Sequence, residues 1–475
     1  MSEHALSFSR FVENLSQTLP EELLSINAPV DPSQFDATGL LAALERQKSY
    51  PMVVFEKPAN LFGRPSDFLL AANIFASRKR CAVALGLSPN DWRLEVSLRY
   101  AERERARLQP SLVERAAAPV CEHIYTGEQA DLRMFPMVRH HHMDGGPYID
   151  MAVLVKDLDG GFYNAAFLRT MYQEPRQLGI YMSPRHSWFI HQKYVKANLD
   201  MPVCLVVNHH PSFYLGALNV APFGEDDYQV IGSVMGQPLR LTPSTTWGAD
   251  FLIPADADVI VEGYVPPDKL EVEGPFGEFP GTYGPEVLKN IVRVTAIAHK
   301  KRAACADIFV GHVDNWILGA VPKEGSLYNR IRGAVPSVQA VHLPNSGTGR
   351  FNCYISLRKR VEGESKQAAL VAMGECDFVK NVIVVDDDID VFNEEEVMWA
   401  LATRVQADQD VDILKNVKGN NLDPSQTHDI LTAKMIIDAT KPVDRDFAER
   451  IKVPEEAILR GIRLLEQLDR GPRHD

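Results

Sequence analysis

From about residue 118 to 315 the chain runs through short β-rich segments, and this is what most restricts its fold. The segments are "DMAVLVKD" (150–157), "PVCLVVNHH" (202–210), "DVIVEGYV" (258–265), "NIVRVTAIAHK" (290–300) and "ADIFVGHV" (306–313). Turns rich in Gly, Pro and Asp separate them, with few long helical patterns between, and that texture predicts a barrel or sandwich. The flanks read differently. After about 330, "FNCYISLRK", "SKQAALVAMG", "VKNVIVVDDDIDVF" and "NEEEVMWALATRV" alternate strand and helix, the rhythm of an α/β layer. Before 118, "PSDFLLAANIFASRKRCAVALGL" has helical length and periodicity from near Ser66 to Gly86, with Asp67 in its first turn. "SPNDWRLEVSLRYAERERARLQP" predicts a second, amphipathic helix capped by Ser88 or Asn90 and followed by Pro110.

A chain of 475 residues exceeds one ordinary core. The expected architecture is therefore a multidomain α/β (α+β) protein: an N-terminal domain over 1–117, a central domain over 118–315, a linker over 316–335 and a C-terminal α/β domain over 336–475. The last helix, "PEEAILRGIRLLEQLDR", covers its own domain or packs on another subunit. No internal repeat is found.

Hydrophobic and charged fractions of 45% and 24% are those of a globular protein in water, and no apolar run is long enough to span a bilayer. "MSEHALSFSRFVENL" lacks the basic head and apolar stretch of a secretion signal. The six cysteines are scattered without a close pair, which reads as reduced thiols in the cytoplasm rather than disulfides or a zinc site. A net charge of -13 argues against non-specific nucleic-acid binding, and the short basic clusters "SRKRC" and "AHKKRAAC" read as solvated faces.

Within the β-rich region, "EGPFGEFPGTYG" (273–284) sets two glutamates five positions apart on a segment of glycine and proline. In a helix, residues so spaced point roughly 140° apart. In a flat strand an odd spacing sends them to opposite faces. Only an irregular turn lets Glu273 and Glu278 converge, and the intervening glycines and prolines supply one. Paired carboxylates on such a turn suit acid/base chemistry, because proximity raises one pKa and keeps a proton available. The plainer alternative is a solvated acidic loop.

Other segments carry weaker signals. "RHHHMDGGPYID" (139–150) looks metal-binding, but His140, His141 and His142 alternate faces on a strand, and Asp144-Gly145-Gly146-Pro147 is turn chemistry. "GGFYNAAFLRTM" contributes Asn164 and Arg169; an arginine facing either glutamate would hold one carboxylate ionised and leave the other to carry a proton. "MSPRHSW" places His186 past a Ser-Pro turn, and "APFGEDDYQVIG" brings Glu225, Asp226 and Asp227 to the start of an apolar run. Asn, His and carboxylate form a donor set suited to Mn²⁺ or Mg²⁺. "VVDDDIDVFNEEE" is better explained by acidic residues in the first turn of a helix. His312, Lys323 and Arg330, in 311–335, read as surface or linker charges, with contact to a polar substrate group as the alternative. No G-x-G-x-x-G after a strand, P-loop or G-x-S-x-G occurs.

"EGPFGE" in a β-rich middle domain, preceded by Asn-x4-Arg, resembles the UbiD-type decarboxylases, which use prenylated FMN. "DGGPY", "GIYMSPRH", "VPPDKLEVEGPFGEFPG", "VDDDIDVFNEEEVMWALATR" and "LDPSQ" follow in the family's order. The resemblance implies a central split β-barrel similar to flavin reductases between two α/β domains, in a homodimer or homohexamer. It implies a catalytic set of Arg169, Glu273 and Glu278, with Glu278 donating the proton that replaces CO2. It also implies Mn²⁺ held by Asn164, His186 and a third ligand at Asp227, where the family usually has glutamate, against the cofactor phosphate with K⁺ nearby. Aspartate is one methylene shorter, so Glu225 is an alternative third ligand. Lys434 in "LTAKMIID" matches a lysine that contacts the phosphate.

The implied reaction is reversible, non-oxidative decarboxylation of an aromatic or heteroaromatic carboxylic acid to release CO2, in a cytoplasmic enzyme supplied with cofactor by a flavin prenyltransferase. Loss of CO2 leaves a carbanion-like centre, so the site needs an electron sink, exclusion of water and a waiting acid. Two other readings are an FMN-dependent oxidoreductase on the same barrel and a non-catalytic assembly partner that keeps the fold.

Overall fold

The computed structural model describes residues 6–426 and 430–469, and within these the chain is a mixed α/β protein of several sheets. At the N-terminus, the strands Leu23–Ile26, Met52–Phe55 and Leu69–Ala72 form a sheet that is completed by Ala304–Ala306. That last strand comes from the far end of the central region and pairs in parallel with Leu69–Ala72, so the two regions share a sheet.

The central region is built on an antiparallel sheet. Along its path lie Tyr148–Ile149, Thr170–Glu174, Gln177–Ile180, Val287–His299, Val259–Val265, Met201–Asn208, Ala152–Lys156 and Tyr163–Phe167. The long strand Val287–His299 is its spine, since Leu270–Glu273 and His123–Thr126 also pair with it. "MPVCLVVN" forms the strand Met201–Asn208 and is buried along almost its whole length, as a near-continuous apolar run requires when both faces are covered.

The C-terminal region is a five-stranded sheet in which Asn352–Leu357, Asn381–Asp386 and Leu431–Ala439 run parallel. Helices Glu364–Glu375 and Glu394–Arg404 make the crossovers. The acidic stretch has the structural role expected of it. Asn393 caps the second helix, Glu394, Glu395 and Glu396 fill its first turn, and Arg404 pairs with Asp386 and Asp388.

Several expectations are corrected. The helix expected from Ser66 to Gly86 is a strand, Leu69–Ala72, followed by a short helix, Arg78–Ala84; parallel pairing with Ala304–Ala306 outweighs the local helical pattern. The next helix is Leu94–Glu104, shorter than its pattern, with Arg93 rather than Ser88 or Asn90 at its cap. "ADIFVGHV" forms no strand after Ala306 and turns through Gly311 (φ +76°) into a helix. That helix, Val313–Ala334, fills the segment read as the linker 316–335 and packs on Leu94–Glu104 and Glu364–Glu375. "SRKRC" is not a solvated face: Arg78 and Arg80 are both buried, Arg80 donating to the carbonyls of Ile74, Asn73 and Tyr50.

The helix Glu455–Asp469 leaves Ile458, Leu459, Ile462, Leu464 and Leu465 exposed. Among the described residues no helix is long and apolar enough to cross a membrane. The first five residues of the stretch read for a secretion signal lie outside the described ones.

Candidate active site

The glutamate segment is an irregular turn. Glu273 ends the strand Leu270–Glu273, paired opposite Val287. Gly274 then takes φ +91° and joins Pro275 by a cis peptide bond. Phe276–Gly277 pairs with Tyr283–Gly284 as a two-stranded hairpin. Its loop is closed by the Gly281 amide donating to the Glu278 carbonyl at 3.0 Å and the Glu278 amide to the Thr282 carbonyl at 2.9 Å. The turn brings both carboxylates to one arginine.

Arg169 lies between the strands Tyr163–Phe167 and Thr170–Glu174. Its Nε and Nη2 donate to Glu273 Oε2 at 3.1 and 2.6 Å, and its Nη1 donates to Glu278 Oε1. It reaches both glutamates, rather than one as the sequence suggested. Its guanidinium carbon stands 4.2 Å from the ring centroid of Tyr181 and 5.2 Å from that of Phe276. Tyr148 donates to Glu273 Oε1 at 3.4 Å, so Glu273 is the more fully bonded carboxylate.

Burial raises the pKa of both glutamates, against the pull of Arg169. For Glu278 the neighbouring charge of Glu273 adds to the rise. Burial opposes the charge on Arg169, but the two carboxylates outweigh it and raise its pKa. Two carboxylates beside one permanent cation can share a proton, and the less bonded one, Glu278, is better placed to release it.

Glu278, Arg169, Phe167, Tyr181 and Phe276 line a cavity of about 190 Å³ together with Asp150, Asn315 and Arg350. Arg350 is buried, and burial pushes it down to about 10. Its guanidinium stacks over Phe279, 4.6 Å from the ring centroid, and lies against Gly319, where a Cβ would stand 2.1 Å from Nη2. Lys323 is half-buried and not a surface charge; burial pushes it down to about 8. His312 stacks on Phe309 at 3.6 Å and bonds Glu45, whereas Arg330 is exposed and pairs with Glu375 as a surface charge.

The histidine-rich segment supports the turn. Asp144 is fully buried, and its two oxygens accept from the amides of Gly277 (2.9 Å) and His141 (2.8 Å). A Cβ on Gly277 would lie 2.2 Å from His141 Nδ1, so only glycine lets the hairpin seat there. The histidines lie in a loop and turn rather than on the strand expected, and their side chains take different partners. His140 points inward to Asp307 and Asp150, while His141 stacks near Phe309 and His312.

Asn164, His186 and Asp227 come from three elements linked by hydrogen bonds. Asn164 Nδ2 donates to Ser187 Oγ at 2.8 Å, next to His186 at the start of the helix His186–Ala197. The amide of Ala165, next to Asn164, donates to Asp227 Oδ2 at 2.7 Å, and Asn219 Nδ2 donates to Oδ1 at 3.0 Å. Asp227 is buried and pushed up to about 7 by that burial. Burial and the nearby Arg185 push His186 down, which leaves the imidazole neutral as a metal ligand must be. Glu225 is partly exposed and occupied by Arg107, whose Nε lies 2.8 Å away. Among the described residues no group of three or more His, Cys, Asp or Glu gathers as a metal cluster. Lys434 is buried, its Nζ near the carbonyls of Met373 (3.2 Å) and Cys376 (3.4 Å).

Residues 19–113, 111–313 and 316–439 match the N-terminal, Rift-related and C-terminal domains of 3-octaprenyl-4-hydroxybenzoate carboxy-lyase, the three parts of UbiD. The chain belongs to the UbiD family of carboxy-lyases. Its relatives include anhydromevalonate phosphate decarboxylase of Methanosarcina mazei, 29% identical over 83% of this chain and 90% of that protein. Phenolic acid decarboxylase of Sedimentibacter hydroxybenzoicus is 29% identical over 91% of each. Among solved structures, the UbiD-class enzyme HmfF from Pelotomaculum thermopropionicum in complex with FMN superposes with a TM-score of 0.87 at 33% identity, covering 97% of this chain and 99% of that one. An evolved dimeric form of HmfF in complex with prFMN gives 0.84 at 30% identity, covering 95% and 98%.

Reasoning from sequence missed Asp150, Arg350 and the His140–Asp307 contact. Asp150 had a signal: it is a lone charge in the apolar run "YIDMAVLV". Arg350 had none.

Proposed function

We propose that the chain is a prenylated-FMN-dependent decarboxylase of aromatic or heteroaromatic carboxylic acids, with Glu278 as the proton donor. The observation that carries this is Arg169 bridging two carboxyls of raised pKa at the edge of a cavity to which Phe167, Tyr181 and Phe276 contribute rings and leucines, Ile308 and Val310 the aliphatic wall. A flavin held beside Arg169 and Glu278 would supply the electron sink for the carbon that loses CO2. Arg169 and Glu273 form the supporting pair, and Arg169 steadies the departing carboxylate's charge. Glu278 holds the proton that replaces CO2 and delivers it to that carbon; run backwards, the same group removes the proton for carboxylation.

The residues present fit a metal-bound cofactor phosphate. Asp227 is a buried carboxyl that accepts from the amide next to Asn164 and from Asn219, and Asn164 in turn bonds Ser187, the neighbour of His186. We assign Asn164, His186 and Asp227 as Mn²⁺ ligands, K⁺ to the same region, and Lys434 to the phosphate. The ion pair of Glu225 with Arg107 favours Asp227 as third ligand. Phe167, Tyr181 and Phe276 favour a flat ring as substrate. The exposed apolar residues of Glu455–Asp469 favour a homodimer or homohexamer. The protein would work in the cytoplasm, with domains over 1–117, 118–315 and 336–475 joined by the helix through 316–335.

The test is to co-produce the protein with a flavin prenyltransferase, supply Mn²⁺, weigh the extracted cofactor, and assay CO2 release from a panel of ring acids that includes an aliphatic phosphorylated acid. The mass of prenylated FMN together with CO2 from a ring acid supports the proposal. Plain FMN reducible by a nicotinamide, with no CO2, overturns it.

A further inference from the structure

The cavity beside Glu278 has polar groups that the Arg169 pair does not engage. Asp150 follows the strand Tyr148–Ile149, is 7% exposed and lines the cavity, yet neither of its oxygens makes a hydrogen bond within the protein. His140 Nδ1 stands 3.5 Å from Asp150 Oδ2, and Nε2 of the same ring is 2.9 Å from Asp307 Oδ1. The three residues come from separate segments and converge behind the hairpin. Asn315, near the start of the helix Val313–Ala334, lines the same cavity with a buried Oδ1 that also lacks a partner.

Burying a carboxyl with both oxygens unpaired is unfavourable, and His140 Nδ1 and Asp307 Oδ2, buried near it, also lack hydrogen-bond partners among the described residues. A ligand in the cavity removes the penalty if it presents a polar edge to that carboxyl. We propose that Asp150 is a ligand-contacting residue of this cavity, hydrogen-bonded to a polar edge of the flavin ring or to a ring substituent of the acid, and held in position by His140 and Asp307. The proposal rests on the reading of this cavity as the meeting place of flavin and acid.

The local charges set what Asp150 offers. Burial lifts its pKa well above the ordinary range; His140 pulls against this, Asp307 and Asp144 add to it, and Arg169 opposes it. Tyr148, which feels Glu273, Asp150 and Asp144, is a further titratable neighbour, and Glu278 and Arg350 line the same cavity. Burial thus favours the protonated form of Asp150, which has one O–H to donate and one carbonyl oxygen to accept. That pair complements an imide or lactam edge, or a ring hydroxyl or ring N–H.

Asp150→Ala and Asp150→Asn separate the two sources. Apo protein is titrated with FMN by fluorescence and absorption, and the loaded enzyme is assayed on acids with and without a ring hydroxyl or ring N–H. If the partner is the flavin, Asp150→Ala weakens FMN about tenfold and shifts its visible band. If it is the substrate, FMN binding is unchanged and KM rises about tenfold only for acids bearing the polar substituent. In either case Asp150→Asn, which keeps a donor and an acceptor, stays within about threefold of the parent. Parent-like FMN binding and KM in a folded Asp150→Ala overturn the proposal. Should that variant not fold, Asp150→Asn decides. Affinity in the parent falls as pH rises through the ionisation of Asp150 while that of the variant does not, and identical profiles overturn the proposal. If the parent turns over no acid, the proposed function has failed and the FMN titration alone judges Asp150.

Discussion

Replacing Asp144 tests how the glutamate turn is held. Its oxygens satisfy two buried amides, at Gly277 and His141, and the first belongs to the hairpin that carries Glu278. Asp144→Ala leaves both donors unpaired, at about 1–3 kcal/mol each, so a loss of about 2–6 kcal/mol is expected. Asp144→Asn keeps one acceptor and is expected to lose about half as much. The displaced hairpin moves Glu278, and a shift of about 1 Å lowers kcat about 10²-fold. The hydrogen bonds and charge of the His140–His141 segment overcome burial and hold the Asp144 pKa below its usual value. Its stabilisation is therefore complete above the unfolded value of about 3.9 and is lost as pH falls through the lower folded value. The assay is a urea midpoint with deuterium exchange followed on peptides covering 273–284. Parent-like midpoint and exchange in Asp144→Ala would refute the reasoning.

Gly277→Ala drives a methyl into the His141 ring, costs about 1–3 kcal/mol by overpacking, and should lower kcat more than it raises KM in steady-state kinetics. Arg169→Lys cannot make the three bonds to Glu273 and Glu278; kcat for CO2 release should fall about 10²- to 10³-fold. Glu324 is buried against Arg78 (2.9 Å), Ser97 (2.6 Å) and His342 (2.7 Å), which overcome burial and push it down to about 2. Glu324→Leu should destabilise by about 3–5 kcal/mol in chemical denaturation, and in the parent this contribution fades only as pH falls from about 4.3 towards the lower folded value. Asp227→Ala, or treatment of the parent with a strong chelator, should weaken flavin binding about 10- to 100-fold, measured by titration with and without Mn²⁺.

The site was legible where local chemistry settles the geometry. Two glutamates on a glycine–proline segment must meet across a turn or not at all, and they meet at Arg169. The central strands and the alternating C-terminal elements were legible because their β-branched apolar runs are bounded by turns rich in Gly, Pro and Asp. What was not legible depends on distant partners. "LLAA" at 69–72 is a strand because Ala304–Ala306 lies alongside it, more than two hundred residues later. Arg80 is buried because carbonyls at 50, 73 and 74 surround it, although its neighbours in sequence suggest a wet face. The segment 316–335 reads as a connection, yet it is part of a continuous helix that contacts Leu94–Glu104 and Glu364–Glu375. Asp150, His140 and Asp307 gain meaning only once folding has brought them together.

The central claim is that Glu278 supplies the proton, and hydrogen isotope incorporation tests it most directly. The loaded enzyme is incubated in D2O with a ring acid that the parent decarboxylates, and the product is examined for deuterium at the carbon that lost CO2. The account predicts complete labelling by the parent, and in Glu278→Gln a rate of labelled product lower by about 10²- to 10⁴-fold with cofactor still bound. Labelling by Glu278→Gln within a few-fold of the parent's rate would contradict it and return the acid's role to another group in the cavity.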